Sequence, residues 1–239
     1  MRKIFILVLM SFAFAAKSQL SSRGNISNSP ATGNGRIYNN ADLPVLQDKY
    51  PRFANGNPYF LEDWVSGDIL LATGAKIENV KMRLDLVDNT LQYIGPDGRE
   101  LILASPVKTI TLRDSVNAKE YRLTNAAYLG GATAVDPGWY QVLTAGTAIL
   151  YKHIQKTITQ PKNYSSGDNE PTVNSMEDYF LYADWNISRI KKIKEIPTLL
   201  KDKTDELNQY IGAKKLSSRE KDLVALVEYY NNPVQPKAF

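Results

Sequence analysis

The chain has 239 residues, with 29 Lys and Arg against 25 Asp and Glu, a single His and no Cys. The missing Cys excludes disulfides, thiol nucleophiles, Cys-ligated zinc, iron–sulfur clusters and a lipid-modified N-terminal Cys. One His excludes a His-built metal cage, which needs two or three.

Residues 1–18 read MRKIFILVLMSFAFAAKS. Arg2 and Lys3 precede an apolar run over 4–16, and Ala16 and Ser18 stand at the −3 and −1 positions of a cleavage point before Gln19. That is the layout of a secretory signal peptide. The run is thirteen residues long, short of the ~20 that span a bilayer. Cleavage removes Arg2, Lys3 and Lys17 but no acid, so the formal charge falls from +4 to +1. A nucleic-acid or anionic-membrane surface thereby loses most of its compositional support. The expected localisation is the periplasm or the outer membrane of a bacterial envelope, or the extracellular space.

Residues 19–42 are rich in Ser, Asn and Gly and read as a flexible leader. Residues 43–58, with Pro44, Pro51 and Pro58, read as an irregular segment packed on a domain surface. From Tyr59 the period becomes two. Val80, Met82, Leu84 and Leu86 alternate with Lys81, Arg83 and Asp85, which predicts a strand with one buried and one wet face. Gly95-Pro96-Asp97-Gly98 predicts a tight reversal. Further strands are expected over 101–104, 107–112, 120–124, 140–144 and 147–159. Residues 161–175 read as a polar loop, followed by a hairpin of 179–183 and 187–193 around Asp184-Trp185-Asn186.

The chain ends in a helical pattern over 194–233, with a tail over 234–239. Pro197 suits a first helical position, and Ile196, Leu200, Leu207 and Ile211 share a stripe that Gly212 could stop. Ser217-x-x-Glu220 reads as a capping box for a second helix carrying Leu223, Leu226, Val227 and Tyr230. The expected fold is mainly β: an antiparallel β domain over 43–193, built as a meander, open sheet or sandwich, with a C-terminal helical hairpin packed on it.

Candidate chemistry is sparse. His153 reads as a surface or half-buried strand residue with no sign of a pocket. Carboxylate pairs that could serve a glycosidase are Glu62-Asp63 beside Trp64, Asp85 with Asp88, and Asp178 with Asp184. Adjacent acids on a strand diverge, and the other pairs read as ordinary solvated or turn acids. Gly167-Asp168-Asn169-Glu170 lacks the ligand spacing of a calcium loop. Residues 189–221 carry an excess of five basic side chains, interleaved with acids as on a solvated helix face. Fourteen Tyr could furnish a sugar platform, or simply core and cross-strand pairs. The sequence thus assigns no catalytic, cofactor or metal residue.

The succession Tyr59-Phe60, Trp64-x-x-Gly67, the strand at 79–86, Asp97-Gly98, Leu150-Tyr151-Lys152, Tyr210-Ile211 and Tyr229-Tyr230-Asn231 resembles exported β-rich proteins of unknown function from Bacteroidota. The resemblance spans most of 59–232 and implies location and fold, with no activity to carry over. Asp114-Ser115-Val116 is similar to the Asp-Ser/Thr-apolar site at which such bacteria attach O-linked glycans.

Together these features lead to a non-enzymatic envelope protein acting as an interaction scaffold or accessory subunit. The alternative is a carrier of a lipid or other apolar ligand in a curved sheet, and the third reading an acid-pair glycan hydrolase. The expected partner is an envelope protein or an apolar ligand, without nucleic acid and without a membrane span after cleavage.

Overall fold

The computed structural model describes residues 42–45, 49–130, 135–160 and 170–232. The signal peptide, nearly all of the leader, the calcium-like residues at 167–169 and the tail at 234–239 lie outside them. Eleven strands form one antiparallel sheet in the order β1-β5-β4-β3-β2-β6-β7-β8-β9-β10-β11. In chain order they are β1 (Leu43–Pro44), β2 (Val65–Leu71), β3 (Lys76–Asp85), β4 (Thr90–Ile94), β5 (Glu100–Ile102) and β6 (Val107–Asp114). There follow β7 (Lys119–Asn125), β8 (Trp139–Val142), β9 (Ile149–Thr159), β10 (Thr172–Ala183) and β11 (Asn186–Ile190). The mainly β fold with helices at the C-terminal end is as expected, in its open-sheet form.

The alternation in β3 has the predicted inward set: Val80, Met82 and Leu84 are buried with Ile69, Leu91, Tyr93, Ile110 and Leu112. Ile77 joins them out of phase, because the β2–β3 register shifts between Gly67 and Ile69 and Asn79 adopts a φ of 55°. The supposedly wet face differs. Asp85 and Gln92 are fully buried there, because residues 49–60 lie across it, largely within the segment 43–58 expected to be irregular and packed on the domain surface. This segment hydrogen-bonds from Ala54 N to Pro171 O, from Val173 N to Asn55 O and from Phe60 N to Leu84 O. It thus straps the start of β10 to the end of β3. Before it, Leu43–Pro44 pairs with β5 as an edge strand, and the Asp42 carboxylate accepts from Tyr93 OH and Ala104 N.

Gly56 marks where the strap passes closest to the sheet. Its φ is +79°, and a Cβ there would lie 2.6 Å from the Val173 carbonyl oxygen. Gly56→Ala is therefore expected to lose about 2–4 kcal/mol of stability, from left-handed strain plus displacement of β10. Urea unfolding checks this, and a midpoint equal to that of the parent would refute a tight crossing.

Strand β10 begins at Thr172, inside the segment expected to be loop, because its polar first half pairs with β9 from Thr172↔Thr159 onward. The helical end also departs from expectation. The first helix breaks at Leu200 (φ −99°, ψ 68°), giving α1 (Ile196–Leu199) and α2 (Thr204–Lys214). Gly212 does not stop α2. The helix runs through it, and Lys215 takes the left-handed position at φ 52°. Helix α3 (Glu220–Asn231) does not use the capping box either. Ser217 donates through N and Oγ to Asp222 at 3.0 and 2.6 Å, while Glu220 turns to Lys152 and Tyr179. Ile196, Leu200, Leu207, Ile211, Leu223, Leu226 and Val227 form a second core against Leu150, Leu181 and Ile190, so the helices do pack on the sheet.

Candidate functional site

Of the three acid pairs, the structure brings together Asp85 and Asp88, both bound by Lys49 Nζ. Glu62 and Asp63 are both exposed. Asp178 is ion-paired to Arg189 across β10 and β11, whereas Asp184 sits in the turn that follows. Six residues of extended chain separate those two acids by about 20 Å, well beyond the roughly 6.5–9.5 Å of an inverting pair.

Asp85 is not a solvated turn acid but a buried hub. Its Oδ2 accepts from Lys49 Nζ at 2.6 Å and from Tyr50 OH at 2.7 Å. Its Oδ1 accepts from the amides of Val87 and Asp88 at 3.0 and 3.2 Å. Lys49 also reaches Asp88 at 2.8 Å. Burial pulls the Lys49 ammonium down, but the Asp85 and Asp88 carboxylates outweigh it and hold its pKa above the ordinary value. Burial, followed by the bond to Asp85, raises the Tyr50 phenol. Beside the hub, the Arg83 guanidinium lies 3.7 Å from the Tyr59 ring centroid and 4.4 Å from that of Trp64. These contacts clamp the strap onto the sheet.

His153 is 2% exposed, not a surface residue. Its ring stacks on Tyr140 at 4.2 Å and 7° and meets Phe180 edge-on at 6.3 Å. A backbone hydrogen bond ties it to Pro137, whereas Nδ1 is buried with no hydrogen-bond partner. The ring borders a cleft of about 320 Å³ shared with Asn89, Asp136, Pro137, Gln155 and Lys156. An apolar groove of about 490 Å³, walled by Ala126, Leu129, Val135 and Ile187, lies across Pro137-Gly138 from it. Lys156 Nζ donates to Asn57 O at 3.0 Å and to Tyr59 O, tying β9 to the strap. Burial lowers the Lys156 pKa, against the nearby Glu62 and Asp85 charges.

Burial also lowers the His153 pKa, against the attraction of Asp136 and Asp178. The unfolded chain therefore binds a proton near pH 6.5 that the folded chain refuses. This contribution is absent above that pH, and stability falls as the pH drops below it towards the folded pKa. His153→Phe keeps the aromatic stack and has nothing to protonate. It is expected to flatten the dependence of the unfolding midpoint below about pH 6.5. An unchanged slope in a pH series of thermal melts would show that His153 does not contribute.

Among the described residues, the β10–β11 hairpin presents the most exposed large aromatic. Ala183 pairs with Asn186, leaving a two-residue turn in which Asp184 has φ 50° and Trp185 φ 60°. Positive φ at both positions is the type I′ signature, which Asn-Gly satisfies without strain. A bulky residue there is an outlier that costs about 1–2 kcal/mol. Trp185 is nevertheless 82% exposed. Val116, 84% exposed, tops the β6–β7 turn, where Asp114 accepts from the Val116 and Asn117 amides and Ser115 is exposed. Because the strands alternate in direction, the β6–β7 and β10–β11 turns fall at the same end of their ladder.

The basic excess at 189–221 is partly consumed. Arg189 pairs with Asp178, Arg219 with Asp222, and Lys203 lies 4.8 Å from the centroid of the Tyr230 ring. Among the described residues no cluster of three or more potential metal ligands occurs, and no helix is long and apolar enough to cross a membrane. The Tyr140–His153–Phe180 cluster and the strained Trp185 were the features missed from sequence. A single His in a strand pattern gives no signal of burial, although Asp-Trp in a two-residue turn could have been marked as unsuited to it. No protein-family profile, curated protein or solved structure matches this chain.

Proposed function

We propose that the protein is a non-enzymatic component of the bacterial cell envelope, with its sheet as an interaction scaffold and the β10–β11 turn as the docking point. The observation that carries this reading is Trp185, held 82% exposed at a left-handed backbone position. Strained outliers of this kind persist where a function retains them, and Trp is the side chain most enriched among interface anchors. The signal-peptide pattern supports export, and the near-neutral charge after cleavage fits a protein partner better than a polyanion. Ile69, Met82, Leu84, Tyr93, Ile110 and Leu112 fill the inward face of the sheet, which supports a scaffold over a carrier of an apolar ligand.

The test is photo-crosslinking from the β10–β11 turn in intact cells. The expected result is one discrete adduct, lost when Trp185 is replaced by Gly. An identical adduct pattern in both proteins would overturn the reading.

A further inference from the structure

The sheet ends on β11, and that edge is open. Ala183↔Asn186 closes the two-residue turn, so Leu181 and Tyr179 exchange main-chain hydrogen bonds with Ser188 and Ile190. The N–H and C=O groups of Ile187 and Arg189 consequently point away from β10. Among the described residues no hydrogen bond reaches them. Such an edge accepts a further strand unless it is short, carries Pro or presents a free charge. The opposite edge, β1, has two residues, one of them Pro44. Strand β11 has five, no Pro, and a single charge, Arg189, which Asp178 already neutralises.

The flanking residues define what fits there. Paired antiparallel with its own copy about Ser188, the segment 184–192 sets Asp184 opposite Lys192, Trp185 opposite Lys191 and Ile187 opposite Arg189. Both lysines are exposed and form no ion pair among the described residues. An acid and an exposed indole thus meet two free cations at each end of the ladder. Moving the two-fold to Ile187 or to Arg189 pairs only one outward residue of each copy within the strand, and the second move sets Arg189 on Arg189. The register about Ser188 pairs both outward residues, for roughly four main-chain hydrogen bonds.

We propose that β11 pairs antiparallel with β11 of a second copy of this chain, joining the two sheets across a two-fold axis at Ser188. The inference rests on the docking reading and names its partner: Trp185 lies against Lys191 of the second copy. The contact is small, so the association is weak, with a dissociation constant of about 10–100 µM.

The chain has no Cys, so Ser188→Cys supplies a single thiol. At the axis the two Cα atoms stand about 4.5 Å apart, the spacing of a non-hydrogen-bonded antiparallel pair, which a disulfide spans. Oxidation of Ser188→Cys with copper–phenanthroline is expected to give a covalent dimer. Asn186→Cys, whose two copies stand roughly 14 Å apart in this register, is expected to give none. Sedimentation equilibrium of the parent is expected to show a monomer–dimer equilibrium. Trp185→Gly, or Lys191→Glu with Lys192→Glu, should weaken it about tenfold through loss of the cation–π contacts. A parent still monomeric at about 500 µM, or equal crosslinking of the two Cys variants, would overturn the proposal. Photo-crosslinking from the turn separates this failure from failure of docking. A Trp185-dependent adduct with a different protein would overturn the second copy and sustain docking. A dimer indifferent to Trp185→Gly would sustain the strand pairing and overturn the docking role of Trp185.

Discussion

A protein carrying Asp184→Asn and Trp185→Gly is expected to unfold at a higher temperature than its parent and to lose its partner adduct. Both parent residues adopt positive φ. The left-handed conformation costs a side-chain-bearing residue about 1–2 kcal/mol, least for Asn and Asp and nothing for Gly. Asn-Gly is the pair this turn prefers. Glycine returns part of the gain by loosening the unfolded chain, so the net stabilisation is about 1 kcal/mol. For a chain of this length that corresponds to roughly 2–4 °C in the unfolding midpoint. Trp185 is exposed and contributes little burial in the monomer, so little packing is lost. Gain of stability with loss of partner is the signature of strain retained for binding. A lower midpoint would refute the strain, and an unchanged adduct would refute the docking role.

Removing the Asp85 carboxylate is expected to be the most damaging single change. Asp85→Ala takes the acceptor from Lys49 and Tyr50 of the strap and from the two amides of the β3–β4 turn. Breaking a buried ion pair by deleting one partner costs about 3–5 kcal/mol, because the remaining groups stay desolvated. Tyr50→Phe, which deletes one bond to a charged acceptor, is expected to cost about 1.5–3 kcal/mol. The double change Lys49→Met with Asp85→Leu should cost less than the sum of its parts, since it removes the charges together. Urea unfolding of the parent, Asp85→Ala, Tyr50→Phe, the double variant and its single changes Lys49→Met and Asp85→Leu measures these values. A loss below about 1 kcal/mol for Asp85→Ala would show that the strap is not held through this hub.

Much of the sheet was legible because its signals are local. The alternation in β3 marked Val80, Met82 and Leu84 as inward, and Gly98, at φ +79°, completes the turn marked by its neighbours. The same alternation misplaced Asp85 on a wet face, because nothing in a strand pattern tells whether a distant segment will cover it. Lys49 and Tyr50 lie 36 and 35 residues away in the chain. The polar start of β10 carried no strand pattern of its own and is extended because β9 pairs with it along its whole length. Gly212 and the Ser217–Glu220 pattern were plausible local punctuation. The packing of α2 and the pull of Lys152 and Tyr179 on Glu220 set aside both.

By itself, the sequence determined the chemistry this protein lacks and the class of its fold. Zero Cys and one His settle those exclusions whatever the chain's shape, and hydrophobic periods of two and then 3.6 residues follow from backbone geometry alone. Only the tertiary structure decided which polar groups are buried and which apolar ones are presented. Strand pairing and the strap bring His153 against Tyr140 and Phe180, place Asp85 beneath Lys49 and leave Trp185 standing in solvent. Burial and exposure are properties of contacts between distant residues, and the local pattern of one strand does not encode what will lie across its other face.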